Sequence, residues 1–351
     1  MADTHKLTSH DIRSAVAEWP KLRERDLAAK LGISEAQLVA ARAGHGVTRI
    51  NAHPDALMPA AERLGEVMAL TRVEAAVHEK IGAYANYHPG QHAAMVLTED
   101  IDLRIFPSHW VHGMMVEKET EAGLQRSLQV FDAAGDAIHK IFLRDGSDLD
   151  EWTKLQRTLA LQDQSAELEV AARKPVEAPK SAPDKLEILR AEWRKLTDTH
   201  QFLRLCSKLK MNRLGAYRIA GAPFVRALAP DAVDEMLTKV AASDMEIMLF
   251  VGNRGCIQIH TGHINTLRPM AAWQNVMDPR FNLHLRRDKI AEVWAVVKPT
   301  QRGEAVSVEA FDAEGGLILQ TFGLGKEGRD HRPAWKTLVD SLPDLGAGDT
   351  P

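Results

Sequence analysis

The sequence predicts an α+β protein made of two tandem homologous domains, each an antiparallel β-sheet with flanking helices. Two observations lead there. Residues 123–142, Gly-Leu-Gln-Arg-Ser-Leu-Gln-Val-Phe-Asp-Ala-Ala-Gly-Asp-Ala-Ile-His-Lys-Ile-Phe, return 180 positions later as Gly-Glu-Ala-Val-Ser-Val-Glu-Ala-Phe-Asp-Ala-Glu-Gly-Gly-Leu-Ile-Leu-Gln-Thr-Phe at 303–322. Eight of those twenty positions are identical, against roughly one expected by chance. The register runs back without a gap through Lys118/Lys298 to Leu103/Leu283. Each half, moreover, reads in the same order: helices, short alternating strands, then a closing helix.

The first half opens with apolar residues at helical spacing from Asp11 to Gly44, where Gly32 and Gly44 are placed as stops. From Val67 to Phe142 the pattern changes to short alternating or apolar runs, among them Ala93–Leu97, Ile101–Phe106, Gly113–Glu117 and Arg126–Phe131, which predicts an antiparallel sheet. Phe131-Asp132-Ala133-Ala134-Gly135-Asp136 predicts a hairpin turn, since Asp and Gly tolerate the backbone angles of a reversal, and the turn recurs at Phe311–Gly316. A helix over Leu149–Leu161 with Trp152 closes the half. Ala171–Asp184 carries Pro175, Pro179 and Pro183 among Ala, Lys and Glu, the composition of a linker. The second half then repeats the order, with helices from about Lys185 to Ala220, strands from about Met245 to Phe322 and a helix over Arg332–Leu342 with Trp335. The expected division is 1–170 for the N-terminal repeat, 171–184 for the linker, 185–343 for the C-terminal repeat and 344–351 for a loose tail.

At 351 residues, 45% apolar and 26% charged, the chain has the composition of a folded globular protein long enough for two cores. Lys plus Arg is 44 and Asp plus Glu 48, so there is no general pull toward nucleic acid or an anionic membrane, and an anionic ligand requires a local basic cluster. Two cysteines, Cys206 and Cys256, argue against a disulfide framework and a cysteine zinc site and fit a reducing cytoplasm. No run has the length of a signal peptide's apolar core or of a bilayer span, so the sequence predicts a cytoplasmic protein without membrane insertion.

Four segments could carry chemistry. Leu196-Thr197-Asp198-Thr199-His200-Gln201-Phe202 reads as a helix start, with Asp198 as N-cap, Gln201 completing a capping box and His200 in the first turn. The positive helix end disfavours imidazolium there and leaves a neutral ring able to bind a metal, although most histidines are not ligands and the spacing alone favours a half-exposed helix residue. In Asp102-Leu103-Arg104-Ile105-Phe106 the alternation puts Arg104 and Phe106 on one strand face with Asp102, either a wall for a flat anionic ligand or a solvated face with a surface ion pair. His260 and His263 lie in Gly252–His263, which a hairpin followed by an alternating strand explains without metal. Arg25–Leu38 has the look of a DNA-binding helix-turn-helix, with Gly32 at the turn and Ser34 capping the second helix. Only Gln37 and Arg42 offer base or phosphate contacts and the chain is acidic, so a helical pair packed beside the sheet is favoured over a regulator, haem-responsive or otherwise. No phosphate-cradling loop, serine-nucleophile elbow or paired-carboxylate motif is evident.

Taken together, Asp100-Ile101-Asp102-Leu103-Arg104-Ile105-Phe106-Pro107 with Trp110, Thr197–Phe202, the Gly252–Gly262 run, Asp278-Pro279-Arg280-Phe281-Asn282-Leu283-His284-Leu285 and Val297-Lys298-Pro299-Thr300 resemble the bacterial cytoplasmic haemin-degrading and haem-trafficking factors. The resemblance covers nearly the whole chain, and members of that family are themselves internal duplications. It implies a b-type haem between the C-terminal sheet and its preceding helices, with His200 as axial iron ligand and Arg104 reaching over from the first half on the opposite side, there the catalytic group of a degrading enzyme. It further implies that Phe106 lines the pocket, that Arg213 and Lys298 pair with propionates, and that Gln320 and Phe322 face the porphyrin. A haem-uptake transporter and a downstream haem acceptor or reductase are the implied partners. The chain departs from the family in Phe322-Gly323-Leu324-Gly325-Lys326, which lacks an arginine common near Gly325. Leu319 and Phe322 stand where tyrosines are common, and Leu203 removes a second histidine one turn after His200.

Overall fold

The computed structural model describes residues 7–346. Within that range the chain divides into two compact units. One comprises the residues up to Arg72, Glu79–Lys174 and Asn253–Gln258; the other comprises Val73–His78, Pro175–Gly252 and the residues from Ile259 onward. The passage at Lys174–Pro175 falls inside the proline-rich stretch, while the two short outlying segments depart from a simple tandem order.

The first unit begins with three helices where the sequence shows helical spacing: α1 (Ser9–Glu18), α2 (Glu24–Leu31) and α3 (Glu35–Ala40). Gly32 ends α2 at φ 69°, in the left-handed region that a Cβ disfavours, and Ser34 and Gln37 form a capping box that starts α3. The local chemistry of a helix-turn-helix is therefore present, but its second helix is only six residues long and buries Glu35, Ala36, Leu38, Val39 and Ala40. Gln37 donates to the Leu168 carbonyl at 3.2 Å, and Arg42 is 8% exposed and paired with Glu24. A helix engaged in this way presents no face to a nucleic-acid groove.

The chain continues through β1 (Val47–Ile50), α4 (Pro54–Arg63), β2 (Glu66–Arg72), β3 (Ala76–Ala83), β4 (Tyr87–His88), β5 (Ala94–Leu97), β6 (Asp102–Ile105), β7 (His112–Thr120), β8 (Gly123–Phe131), β9 (Ala137–Leu143) and α5 (Leu149–Thr158). Strands β1, β7, β8, β9 and β2 pair antiparallel in that spatial order, and β4, β5 and β6 pair antiparallel as well. Helix α4, to which the sequence reading assigns no element, starts with Pro54 in its first turn and buries Leu57, Met58, Ala60 and Ala61.

The second half of the chain repeats the plan with α6 (Leu186–Trp193), α7 (Gln201–Lys208), α8 (Arg213–Ala220), β10 (Val225–Leu228), α9 (Ala232–Ala241), β11 (Ile247–Gly252), β12 (Cys256–Gly262), β13 (Trp273–Asp278), β14 (Phe281–Arg286), β15 (Glu292–Thr300), β16 (Gly303–Phe311), β17 (Leu317–Gly323), the short β18 (Gly325–Lys326) and β19 (Arg329–Asp330), and α10 (Arg332–Asp340). Strands β10, β15, β16, β17 and β11 form the antiparallel ladder, and β13 pairs with β14. The duplication reaches the irregularities: the register shifts at Val130/Phe131 between β8 and β9 and at the matched Ala310/Phe311 between β16 and β17. The two closing tryptophans are buried, and Trp335 packs so closely on β17 that a Cβ at Gly323 would overlap its own.

Two apolar layers sandwich the second ladder. One face packs Val293, Ala295, Val308 and Leu319 against α9 and α10, the other packs Trp294, Val296 and Phe311 against α6–α8. The proline-rich stretch is irregular yet tied down: Asn212 accepts from the Lys180 amide at 2.9 Å and donates to the Ala178 carbonyl at 2.8 Å, and the Lys180 carbonyl lies where a Cβ on Gly215 would be. At the other end Asp344 pairs with Arg226 and bridges to Leu228. Residues 347–351 of the expected tail, and residues 1–6, lie outside the described residues.

The halves differ in core polarity. In the first, His139 is bonded on both ring nitrogens, Nδ1 to Thr71 Oγ1 at 2.8 Å and Nε2 to Tyr84 Oη at 2.5 Å, and burial holds its pKa down at about 3. The matched residues of the second half, Leu319 and Val251, are apolar and fully buried. Tyr84→Phe is therefore expected to lower unfolding free energy by about 1–3 kcal/mol, because it strands a buried ring nitrogen; urea unfolding checks this.

Candidate haem-binding site

The strands of the second ladder alternate, so one face carries Met248 and Phe250 from β11, Gln320 and Phe322 from β17, and Ser307 and Glu309 from β16. The register sets Met248 opposite Phe322 and Phe250 opposite Gln320, with Glu309 opposite Gln320 on the far side. Ser307 and Glu309 are fully buried, whereas Met248, Phe250, Gln320 and Phe322 are only half-buried. The Phe250 and Phe322 rings meet edge to face at 5.7 Å. The face thus grades from a helix-covered polar interior to a partly open wall that is apolar except for Gln320.

Glu309 organises the covered part. Its Oε1 accepts from Lys298 Nζ at 2.9 Å, Ser307 Oγ at 2.9 Å and Gln320 Nε2 at 2.6 Å, and its Oε2 accepts from Arg213 at 2.8 Å and Tyr217 Oη at 3.0 Å. Burial would push this carboxyl up, but Lys298 and Arg213 outweigh it and hold the pKa at about 2. Burial pulls Lys298 down against the attraction of Glu309. The two cations expected at propionates therefore both sit on Glu309. The Lys298 side chain is 4% exposed and already spends its charge internally; the Arg213 side chain keeps 23% of its surface in solvent.

His200 stands at the start of α7 with its side chain 89% exposed. The cap differs from the expected Asp198. His200 itself occupies the N-cap position without a side-chain cap bond, and the reciprocal pair is Thr197 with Gln201: the Thr197 amide donates to Gln201 Oε1 at 2.9 Å and Gln201 Nε2 donates to Thr197 Oγ1 at 3.0 Å. Asp198 turns instead to His200, accepting from its amide at 2.7 Å and meeting ring Nδ1 at 2.6 Å, an Asx turn that competes with helix capping. The amide bond, then the ring bond, hold the Asp198 carboxyl below its ordinary pKa. The Thr197 carbonyl accepts from the Gln301 amide at the β15–β16 turn at 3.0 Å, which anchors the segment to the ladder. Two residues past His200, the buried Phe202 ring lies 5.0 Å from Lys298 Nζ. A continuous path of contacts therefore links the helix carrying the imidazole, through Lys298 and Glu309, to Gln320 on the wall.

The segment 185–218 carries nine Lys and Arg against three Asp and Glu in a chain of net charge −4, the local basic cluster that an anionic ligand requires. The first unit matches the wall but not the ligand. Met68, Leu70 and Phe142 repeat Met248, Phe250 and Phe322, and the residue matched to His200 is near Asp26, whose side chain is 48% exposed and paired with Arg25. Lys140 takes the place of Gln320, buried on Glu35 and Glu24. Arg104 and Phe106 belong to the first unit; Arg104 donates to Asp102 on its own strand, and Phe106 is half-buried. His260 donates from Nε2 to the His263 carbonyl at 3.0 Å and stacks on Phe281 at 3.8 Å. The residues that the sequence reading missed are Glu309 and Asp198 as partners of the predicted groups, together with Met248 and Phe250 on the wall. Alternation over Ile247–Gly252 was the one available signal for the last two.

A tandem α+β duplication with a basic helical layer, an outward imidazole and an apolar sheet wall in one repeat defines the class. The haemin-degrading HemS/ChuX domain family matches residues 32–159 and again 210–342, and the chain belongs to that family. It is 38% identical over 333 residues to the hemin transport protein HemS of Yersinia enterocolitica, covering 93% of this chain and 95% of that one. Among solved structures it resembles holo-PhuS, a heme-binding protein from Pseudomonas aeruginosa, at TM-score 0.90 and 40% identity over 96% of this chain and 98% of that one. It also resembles ChuS, an E. coli heme oxygenase, at TM-score 0.84 and 32% identity over 94% and 99%. No helix among the described residues is long and apolar enough to cross a membrane.

Proposed function

We propose that this protein is a cytoplasmic haem-binding protein that takes haem from an uptake transporter and hands it to an acceptor or opens the ring to release iron. The observation that carries the reading is the exposed His200 imidazole, tied at Nδ1 to Asp198, on the helical layer of the repeat whose sheet keeps a half-open wall of Met248, Phe250 and Phe322. Haem is a flat apolar disc with two carboxylates, and it calls for an imidazole, apolar walls and a few local cations. The residues fit. His200 supplies the axial nitrogen, Phe250 and Phe322 the aromatic surface, Gln320 a polar edge, and Arg213 the cation with surface still open to a propionate. Lys298 contributes through Glu309, whose position it fixes. When bound, haem iron supplies oxygen chemistry if electrons reach it; the chain's own part is to hold and orient the ring.

A visible-absorption titration with haemin tests the reading. The wild-type protein is expected to give a saturable one-to-one Soret shift that His200→Ala abolishes or moves; identical curves for both proteins would remove His200 as the ligand. Adding ascorbate in air to the loaded protein then separates the two fates, because ring opening bleaches the Soret band and carriage leaves it intact.

A further inference from the structure

We propose that Asp198 is the positioning residue for the His200 imidazole: its carboxylate takes the Nδ1 hydrogen, which fixes the ring as the Nδ1–H tautomer and leaves the Nε2 lone pair outward for iron. The inference rests on the haem reading above and deepens it. The geometry is specific. One carboxylate oxygen, Asp198 Oδ1, meets both the His200 amide at 2.7 Å and ring Nδ1 at 2.6 Å, so backbone and side chain are held by the same atom. An ionised carboxylate only accepts, so the nitrogen facing it must carry the hydrogen. The ring is otherwise open to solvent: its side chain is 89% exposed, and as the N-cap residue it makes no capping bond. Without Asp198 the imidazole loses the contact that selects its rotamer and tautomer.

Carboxylate partners of this kind orient a metal-bound histidine and make it a stronger donor. Two consequences follow. The oriented ring binds iron with less ordering to be done, and its added electron density favours the ferric state. Asp198 acts through His200 and touches no reacting atom.

The experiment compares wild-type protein, Asp198→Asn and Asp198→Glu by haemin titration, by spectroelectrochemistry of the loaded proteins and by imidazole nitrogen NMR shifts of the ligand-free proteins. Asp198 is exposed, so thermal unfolding should coincide for all three. Asp198→Asn, whose Oδ1 still accepts but carries no charge, is expected to weaken ferric haem binding about tenfold, to shift the reduction potential positive, and to reduce the Nδ1–H population of the ligand-free ring. Asp198→Glu should restore part of each. A normal wild-type titration with unchanged affinity and potential in Asp198→Asn overturns the positioning role alone. Absence of any His200-dependent Soret shift in the wild-type protein overturns both that role and the haem reading.

Discussion

Glu309→Ala is expected to destabilise the protein by about 3–5 kcal/mol, because it leaves buried cations without their counter-charge. Lys298, with a side chain 4% exposed, loses its carboxylate at 2.9 Å and keeps the neutral Tyr217 hydroxyl at 3.0 Å and the Phe202 ring. Arg213 retains its open edge to water and suffers less. Urea unfolding measures the loss, and Glu309→Leu combined with Lys298→Met should recover most of it, since an apolar pair of similar volume is often no worse than a buried ion pair. A loss below about 1 kcal/mol for Glu309→Ala would mean that water reaches Lys298. The same carboxyl sets a pH dependence. Its folded pKa of about 2 lies below the ordinary 4.5, so its contribution is full above about pH 4.5 and disappears as the pH falls toward 2. Glu309→Gln should flatten that acid limb of the stability profile. The substitution should also loosen Gln320, which donates to Glu309 at 2.6 Å, and so alter haemin affinity beyond its effect on folding.

The second large effect belongs to the first unit. Glu35→Ala removes the carboxylate that Lys140 contacts at 2.6 Å and that also pairs with Arg72, leaving Lys140 with Glu24 at 3.4 Å. Lys140 and Glu35 side chains are each 7% exposed, so a loss of about 3 kcal/mol is expected. Glu35→Leu with Lys140→Met should cost far less, and a double-mutant cycle by urea unfolding isolates the coupling. Burial opposes ionisation of Glu35, but Lys140 and Arg72 hold its pKa below the usual value, so this contribution too is lost on acidification.

These two clusters are one device built twice with the charge inverted. Gln129 and Lys140 face each other across β8 and β9, and Glu309 and Gln320 face each other at the matched positions of β16 and β17. Where the sheet carries a cation, the helices supply carboxylates, Glu24 and Glu35; where it carries an anion, β15 and α8 supply Lys298 and Arg213. The inversion leaves a neutral Gln320 beside the open wall of the second unit and a charged Lys140 in the same place in the first. A matched apolar wall therefore carries a different charge in each unit.

Much of this was legible in the chain. The 180-residue offset predicts the repeated ladder because strand alternation and turn chemistry are local, and Phe131–Asp136 and Phe311–Gly316 turn as expected, with Gly135 at φ 81° and Gly315 at φ 92°. Gly32 and Ser34 likewise place two helix ends correctly. Helices α4 and α9 escaped the reading: Pro54 and Pro59 in α4 look like breakers, yet the first sits in the opening turn, where its missing N–H is an orphan in any case. Residue type predicts Asp198 as the cap of α7, but a carboxylate has several donors within reach and the His200 ring and amide win.

The sequence by itself determined the duplication, the order of helices and strands, the hairpin turns and the candidate imidazole, because each depends on residues close together in the chain or on a fixed offset. Only the tertiary structure decided that Arg213 and Lys298 converge on Glu309, that the second helix of the helix-turn-helix pattern is buried, and that Met248 and Phe250 join Gln320 and Phe322 on one half-open face. Those outcomes depend on long-range strand register and on which charges burial forces together, and a buried charge is satisfied by whatever partner the packed fold brings within about 3 Å, however far away in the chain that partner lies.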